Sequence, residues 1–424
     1  MKLESYWHAT APAFSGGAAG PVEGRFDVAV VGGGFTGLSA ALALSKKGAR
    51  VIVLEAGRVI GEASGRNGGQ CNNGLAHDVG TLAARLGMET TKRLYQAFDD
   101  AVDSVEGIVR DEAIDCDFRR SGKIKLAAKP EHYEKLAKAH ELLAKEIDAE
   151  TDLVTPEQTR REIGSEKLYG GIVYRKSAQM HMGRFGLGLA EAAARRGSII
   201  HEKAAVTAIS RQPGGHRLTT TKGTVEARQV LLATGVSRNG PLGYFRRRIV
   251  PIGSFIIVTE PLSVAQAEAI MPTRRTATTT KNLGHYFRLT PDNRLIFGGR
   301  ARFALSSPTS DAKSGKILEA GMLRFFPKLA GTRIDYCWGG IVDMTADRLP
   351  HAGEHDGLFY AMGYSGHGAQ MSVHMGKTMA EVMDGKPEAN PFRPLDWPAI
   401  PGHFGPPWFL PFVGAYYRWQ DYRH

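Results

Sequence analysis

Residues Asp27 to Glu55 read DVAVVGGGFTGLSAALALSKKGARVIVLE, and their order decides the fold. Val28-Ala29-Val30-Val31 is a short apolar run of the kind that forms a buried parallel strand. Gly32-Gly33-Gly34-Phe35-Thr36-Gly37 follows and spells G-x-G-x-x-G. Leu38, Ala41, Leu42 and Ser45 then recur at i, i+3, i+4 and i+7, the period of a helix with one packed face. Gly48 stops that helix, Val51 to Leu54 makes a second strand, and Glu55 ends it. Gly32 permits the tight turn, Gly34 lets the backbone approach a pyrophosphate, and Gly37 lets the helix lie close to the sheet. The helix start adds unpaired N–H groups and a partial positive charge. Glu55 stands 18 residues past Gly37, where a carboxylate accepts the ribose hydroxyls of adenosine. A glycine pattern alone is weak; strand, glycines, helix, strand and acid in this order predict a dinucleotide site.

A chain of 424 residues has material for two domains with sizeable cores. Its 54 Lys and Arg against 43 Asp and Glu give a net charge of +11. The excess is scattered as Arg119-Arg120, Arg195-Arg196, Arg274-Arg275 and Arg246-Arg247-Arg248. No basic tail or aromatic-studded basic helix is present, so nucleic acid is not the expected partner. The excess is either a solvated surface or a field that draws in an anionic substrate. Cys71, Cys116 and Cys337 are odd in number and lack metal spacing, which fits a cytoplasmic protein without structural zinc or a disulfide frame. The first twenty residues carry no apolar signal region, and no run of about 20 apolar residues predicts a membrane span.

Further along, residues before Arg25 read as an arm. Gly61 to Gln70 is too glycine-rich for a regular element and lies either loose or against a flat or charged ligand. Helical patterns cover Thr81 to about Ala113, Glu131 to Ala149 and Phe185 to Arg196; Arg119 to Ala128 alternates like a strand. Thr155-Pro156-Glu157-Gln158 has the form of a helix cap. Short strands are expected around Gly170 to Tyr174, at Ser198 to Ile200 and at Val206 to Ile209. A hairpin is expected over 216–227, and a separate apolar strand over 229–235. Ile249 to Thr259, Tyr286 to Leu289 and Arg294 to Gly298 read as a second, antiparallel sheet, its last two strands joined by Thr290 to Asn293. Gly357 to Met362 and Ala369 to Met383 form a late strand and helix around Gly363-Tyr364-Ser365-Gly366-His367-Gly368. The tail beyond Asp384 is Pro-rich and ends in aromatics that pack on the surface.

These motifs, namely DVAVVGGGFTGLSAALAL, ASGRNGGQ (63–70), the Trp338-Gly339 strand with Thr345 and Pro350, and GYSGHG (363–368), resemble the D-amino-acid oxidase-like FAD oxidoreductases. Within that family the likeness, which extends to PFVGAYYRW (411–419), is to the gamma-glutamylputrescine oxidase branch. The resemblance implies an α/β (α+β) protein with a Rossmann-type FAD-binding domain built from separated segments, 25–85, 178–245 and 335–385. A substrate domain with a mostly antiparallel sheet would comprise 86–177 and 246–334, flanked by an arm (1–24) and a tail (386–424). It implies hydride transfer from the carbon beside an amine to the flavin N5, with oxygen as acceptor and hydrogen peroxide as product. The substrate would be a small anionic amine or amino acid: an N-substituted glycine, an iminodiacetate-like amine or gamma-glutamylputrescine.

By the same resemblance, Gly32, Gly34, Phe35, Thr36, Gly37, Glu55 and Ala56 hold the ADP portion. Ser64, Gly65, Arg66, Asn67, Gly68, Gly69 and Gln70 lie along the pyrophosphate and ring. Val206 meets adenine, Ala233, Thr234, Gly235 and Gly339 lie nearby, and Gly363, Tyr364, Ser365, Gly366, His367 and Gly368 cap the pyrimidine end. Some relatives tether the flavin through His in the 64–66 region or through a later Cys; Arg66 stands in the first place, so non-covalent FAD is expected. No acid–base residue stands out. His367 is either a catalyst or a ring hydrogen-bonder; His181 and His285 are structural or pocket-lining. Lys281 is the candidate oxygen-activating lysine. Tyr286 and Arg288 share one strand face, with Arg288 either the candidate carboxylate anchor or an arginine on an exposed sheet face. Two rival readings stand: an FAD dehydrogenase feeding a quinone or carrier, and an FAD-bearing binding protein such as a tRNA-modification partner.

Overall fold

The computed structural model describes residues 1–236, 243–299, 306–404 and 407–423. Its first sheet grows from the quoted stretch. Arg25–Val31 pairs in parallel with Val51–Leu54 on one side and Gly223–Leu232 on the other. Ile199–His201 extends it past Val51–Leu54, and Leu358–Met362 past Gly223–Leu232. Only crossovers can join parallel neighbours, which is why the strands come from segments so far apart in the chain. Helix Phe35–Lys46 covers one face. Gly368–Met383 crosses that helix at Gly376, where a Cβ would overlap the Thr36 carbonyl oxygen.

The second sheet runs Ile334–Met344, Val250–Thr259, Leu295–Gly299, His285–Leu289, Thr276–Thr279, Lys123–Leu126, Gly171–Tyr174, Thr151–Val154. All its pairs are antiparallel except Thr276–Thr279 with Lys123–Leu126. One face buries Phe255, Phe287 and Phe297 in a core shared with helix Pro308–Phe325. The other carries Ile256, Tyr286, Ile296 and Trp338 into the core of the first half. The two sheets therefore enclose the glycine loop.

Several expectations change. The hairpin strand and the apolar strand at 229–235 are one strand, Gly223–Leu232, because Arg25–Val31 supplies a partner along it from Glu226 to Leu232. The strand expected over 119–128 shrinks to Lys123–Leu126 behind Gly122, whose φ of +73° breaks the extension. Gly87 (φ +82°) splits the long helix into Val79–Leu86 and Met88–Asp111. Ala63–Gly65 makes one 3-10 turn within the glycine-rich loop. The strand around Trp338 hydrogen-bonds to Val250–Thr259 and so lies in the second sheet, although 335–385 was grouped with the cofactor segments. The arm is a structured element: Tyr6–Thr10 is helical and Trp7 is fully buried. The tail, too, holds a helix, Leu410–Arg423. Among the described residues, no helix is long and apolar enough to cross a membrane.

Candidate active site

The glycine turn is built for close approach. A Cβ on Gly37 would overlap the Gly32 carbonyl oxygen, and one on Gly32 would fall 2.6 Å from that of Ala233. Side chains are thus excluded where the first strand, its helix and the 223–232 strand converge. Gly33 and Gly57 N–H donate to the two Glu55 carboxylate oxygens, each at 2.7 Å. Burial pushes the Glu55 carboxyl above its usual range while these two donors pull it back. Phe35 N–H, in the first turn of the helix, donates to Ser64 Oγ at 3.0 Å. Ala204 N–H donates to the Glu55 carbonyl and Lys203 N–H to that of Gly57, which brings Val206 to the Glu55–Ala56 end. Among the described residues, Thr234 Oγ1 is buried with no hydrogen-bond partner, an orphan beside the same turn.

The late turn joins this cradle through side chains. Tyr364 and Thr36 hydroxyls are 2.8 Å apart. Ser365 adopts φ +52° and its Oγ lies 3.0 Å from Thr345 Oγ1. Asp343, unmarked in sequence, accepts Gly363 N–H at 2.7 Å. Burial raises its carboxyl to about 6, against hydrogen bonds from the Gly363 and Tyr364 backbone. A Cβ on Gly235 would be 3.7 Å from Asp343 Oδ2, so the acid bonded to Gly363 also lies beside the end of the 223–232 strand. His367 N–H donates to the Tyr364 carbonyl, and its ring meets Phe98 edge-on at 5.7 Å.

The loop 63–73 is fixed from both sides. Trp7 Nε1 donates to the Asn67 carbonyl at 2.6 Å, and Ser5 Oγ to that of Gly65 at 2.7 Å. Arg66 Nη1 donates to the Gly339 carbonyl at 2.8 Å, and Trp338 Nε1 to that of Arg66 at 2.9 Å. Gly340, passed over in sequence, is the glycine facing Arg66; Gly339 turns toward Asp311 under the outer helix.

The second sheet presents two adjacent rows to this loop. Register places Lys123, Thr276 and Arg288 in one row and Lys125, Thr278 and Tyr286 in the next. The first row is spent on the loop. Arg288 Nη1 donates to the carbonyls of Gly69 and, at 2.9 Å, Met180. Thr276 Oγ1 donates to Asn72 Oδ1 at 2.9 Å, and Lys123 Nζ to the Asn73 carbonyl at 2.7 Å. Gln70 Nε2 adds bonds to the Ala277 and Phe287 carbonyls, both at 3.3 Å. Arg288 is 2% exposed, with its guanidinium 5.6 Å from the Trp7 ring. Burial lowers its pKa to about 9, and that of Lys123 to about 7.

In the second row, Tyr286 packs its ring on Gly68 and sets its hydroxyl 3.0 Å from Ser254 Oγ. Lys125 is half-buried. Burial lowers its pKa, and the acid it senses, Asp78, is engaged by Thr81 N–H and Oγ1. Lys281 is elsewhere: it lies in the turn before His285, near Arg324, Lys129 and Asp421 on the outer side. His181 caps helix Met182–Arg195 by accepting Arg184 N–H, and His285 packs on Phe297 and Phe325. Cys337 Sγ donates to the Asp311 carbonyl, also on the sheet's outer side. No group of three or more His, Cys, Asp or Glu among the described residues is placed to hold a metal.

Glu55→Gln should loosen the glycine turn, because the amide NH2 would face one of the two backbone N–H groups that the carboxylate accepts. Hydrogen exchange at Gly33 and Gly57 checks this; unchanged protection at both would contradict it.

Comparison with known proteins agrees with this geometry. The DAO family, described as FAD dependent oxidoreductase, matches residues 27–382. The chain is 33% identical over 406 residues to the gamma-glutamylputrescine oxidoreductase of Escherichia coli (93% of this chain, 92% of that protein). It is also 33% identical over 383 residues to the probable oxidoreductase OrdL of Haemophilus influenzae (89% and 87%). Among solved structures, the glycine oxidase of Geobacillus kaustophilus superposes with a TM-score of 0.73 at 23% identity, covering 89% of this chain and 100% of that one.

Proposed function

The chain belongs to the DAO family of FAD dependent oxidoreductases, and from that premise we propose that it oxidises the C–N bond of a small amine bearing a carboxylate. The observation that carries this reading is the division of labour between the two rows. Lys123, Thr276 and Arg288 hydrogen-bond the loop, while in the next row Tyr286 packs its ring on Gly68 and Lys125 makes no hydrogen bond to the loop. A lysine there that makes no ion pair among the described residues suits a carboxylate, as a compact cation with three donors. Tyr286, set by Ser254, supplies a hydroxyl beside it. Arg288 acts as a positioning residue that fixes Gly69.

Gly32, Gly34, Gly37 and the first helical turn hold the FAD pyrophosphate, Glu55 the ribose, and Gly363 to Gly368 the pyrimidine end, where N–H groups at a helix start favour developing negative charge. Bound FAD supplies the two-electron acceptor for hydride from the carbon beside the amine nitrogen. The resulting imine hydrolyses to an aldehyde or keto acid plus an amine, and oxygen is reduced to hydrogen peroxide. The candidate substrates are N-substituted glycines such as iminodiacetate, and gamma-glutamylputrescine; the E. coli relative's name carries the latter. Segments 25–85, 178–236 and 345–385 form the cofactor half, and the second sheet covers it; residues 237–242 of the expected segment 178–245 lie outside the described residues.

The FAD is held without a covalent bond, since Arg66 is bonded to Gly61 and Gly339 and Cys337 faces Asp311. Acid precipitation should therefore release all the yellow colour; colour kept by the washed precipitate would contradict this. Peroxide formed in air in step with amine consumed tests the oxidase reading; turnover only with an added quinone would replace oxygen as the acceptor.

A further inference from the structure

Helix Leu410–Arg423 wears its aromatic face outward. Leu410 is buried beside Val250 and Met344. At the far end Asp421 accepts Asn282 and Leu283 N–H at 2.9 and 2.8 Å. Both ends of the inner face are thus anchored. The outer face carries Phe412, Tyr416 and Trp419, which are 70, 53 and 49% exposed and whose spacing of four and three residues makes one stripe. Trp408, in the turn just before the helix, and Phe404 are 67 and 74% exposed and add to the aromatic surface. The stripe offers on the order of 500 Å² of mostly aromatic surface, at the upper end for a monomer's largest apolar patch.

Its surroundings are basic. The Arg423 guanidinium lies 4.5 Å from the Trp419 ring and that of Arg247 is 5.2 Å from the Phe404 ring. Asp421, the one acid in 404–424, is turned inward. Lys281 adjoins with Arg324 and Lys129 in electrostatic reach. Trp and Tyr with flanking Arg suit the headgroup layer of a bilayer, where rings sit in the apolar boundary and cations meet lipid phosphates. A second copy fits less well. The stripe falls short of the roughly 800 Å² per partner of a standard interface, and a two-fold contact would oppose arginine to arginine.

We infer that this helix lies in the plane of an anionic membrane surface and docks the enzyme there as a peripheral protein. The test is cosedimentation of the full-length, FAD-loaded protein with phosphatidylcholine vesicles that do or do not contain phosphatidylglycerol. The protein should pellet with the anionic vesicles and less so as salt rises, because surface charge is screened within about 10 Å at 0.1 M. The triple variant Trp408→Ser, Phe412→Ser, Trp419→Ser should partition at least about tenfold less, with its flavin spectrum unchanged. The pair Arg247→Glu and Arg423→Glu, which keeps the stripe, should also bind less. No pelleting, equal recovery on neutral vesicles, or variants that bind like the parent would overturn the inference. So would a dimer in sedimentation velocity that the triple variant dissociates.

Discussion

Trp7→Ala is expected to destabilise the protein by about 3–5 kcal/mol, the range for emptying a large aromatic site in a core. Trp7 is fully buried, packs edge-on against Tyr6 and His181, and donates to the Asn67 carbonyl. Its removal also leaves the Arg288 guanidinium without the ring 5.6 Å away. The loop 63–70 would be freed on one side, so FAD affinity should fall together with the urea midpoint. Trp7→Phe retains most of the apolar volume and loses the N–H, for a cost nearer 1 kcal/mol. If Trp7→Ala unfolds at the parent's midpoint and binds FAD as tightly, the arm does not support the loop.

Lys125→Met should reduce kcat/KM for a carboxylated amine roughly 10- to 150-fold, the equivalent of a charge-assisted hydrogen bond of about 1.5–3 kcal/mol. FAD content should not change, because Lys125 makes no bond to the loop, unlike Lys123 in the next row. The loss should be largely in KM if the carboxylate is gripped equally before and during reaction. A substrate without a carboxylate should be indifferent to the change. Equal losses for both kinds of amine would mean that the lysine shapes the site without meeting the anion.

The first strand, glycine turn and helix were legible in the sequence because their determinants are local. Strand, glycine turn and helix follow one another within Asp27 to Glu55, and periodicity alone separates them. The 363–368 turn was legible for the same reason. What the sequence did not reveal depends on register between distant segments. Trp7 reaches Asn67, 60 residues on, and nothing in the arm's composition marks it. Asp343 meets Gly363 across a strand boundary. Tyr286 and Arg288 were correctly read as sharing a face, yet only pairing with Thr276–Thr279 and Lys123–Leu126 separates the two rows. That pairing turns Arg288 toward the loop and brings forward Lys125, a residue with no local signature.

The most direct test of the proposed amine oxidation is anaerobic mixing of the FAD-loaded protein with iminodiacetate, other N-substituted glycines, gamma-glutamylputrescine and plain putrescine, followed by the visible flavin absorbance. At least one carboxylated amine should bleach the flavin, and faster than putrescine does. Bleaching by none of them, or fastest bleaching by putrescine, would contradict the account.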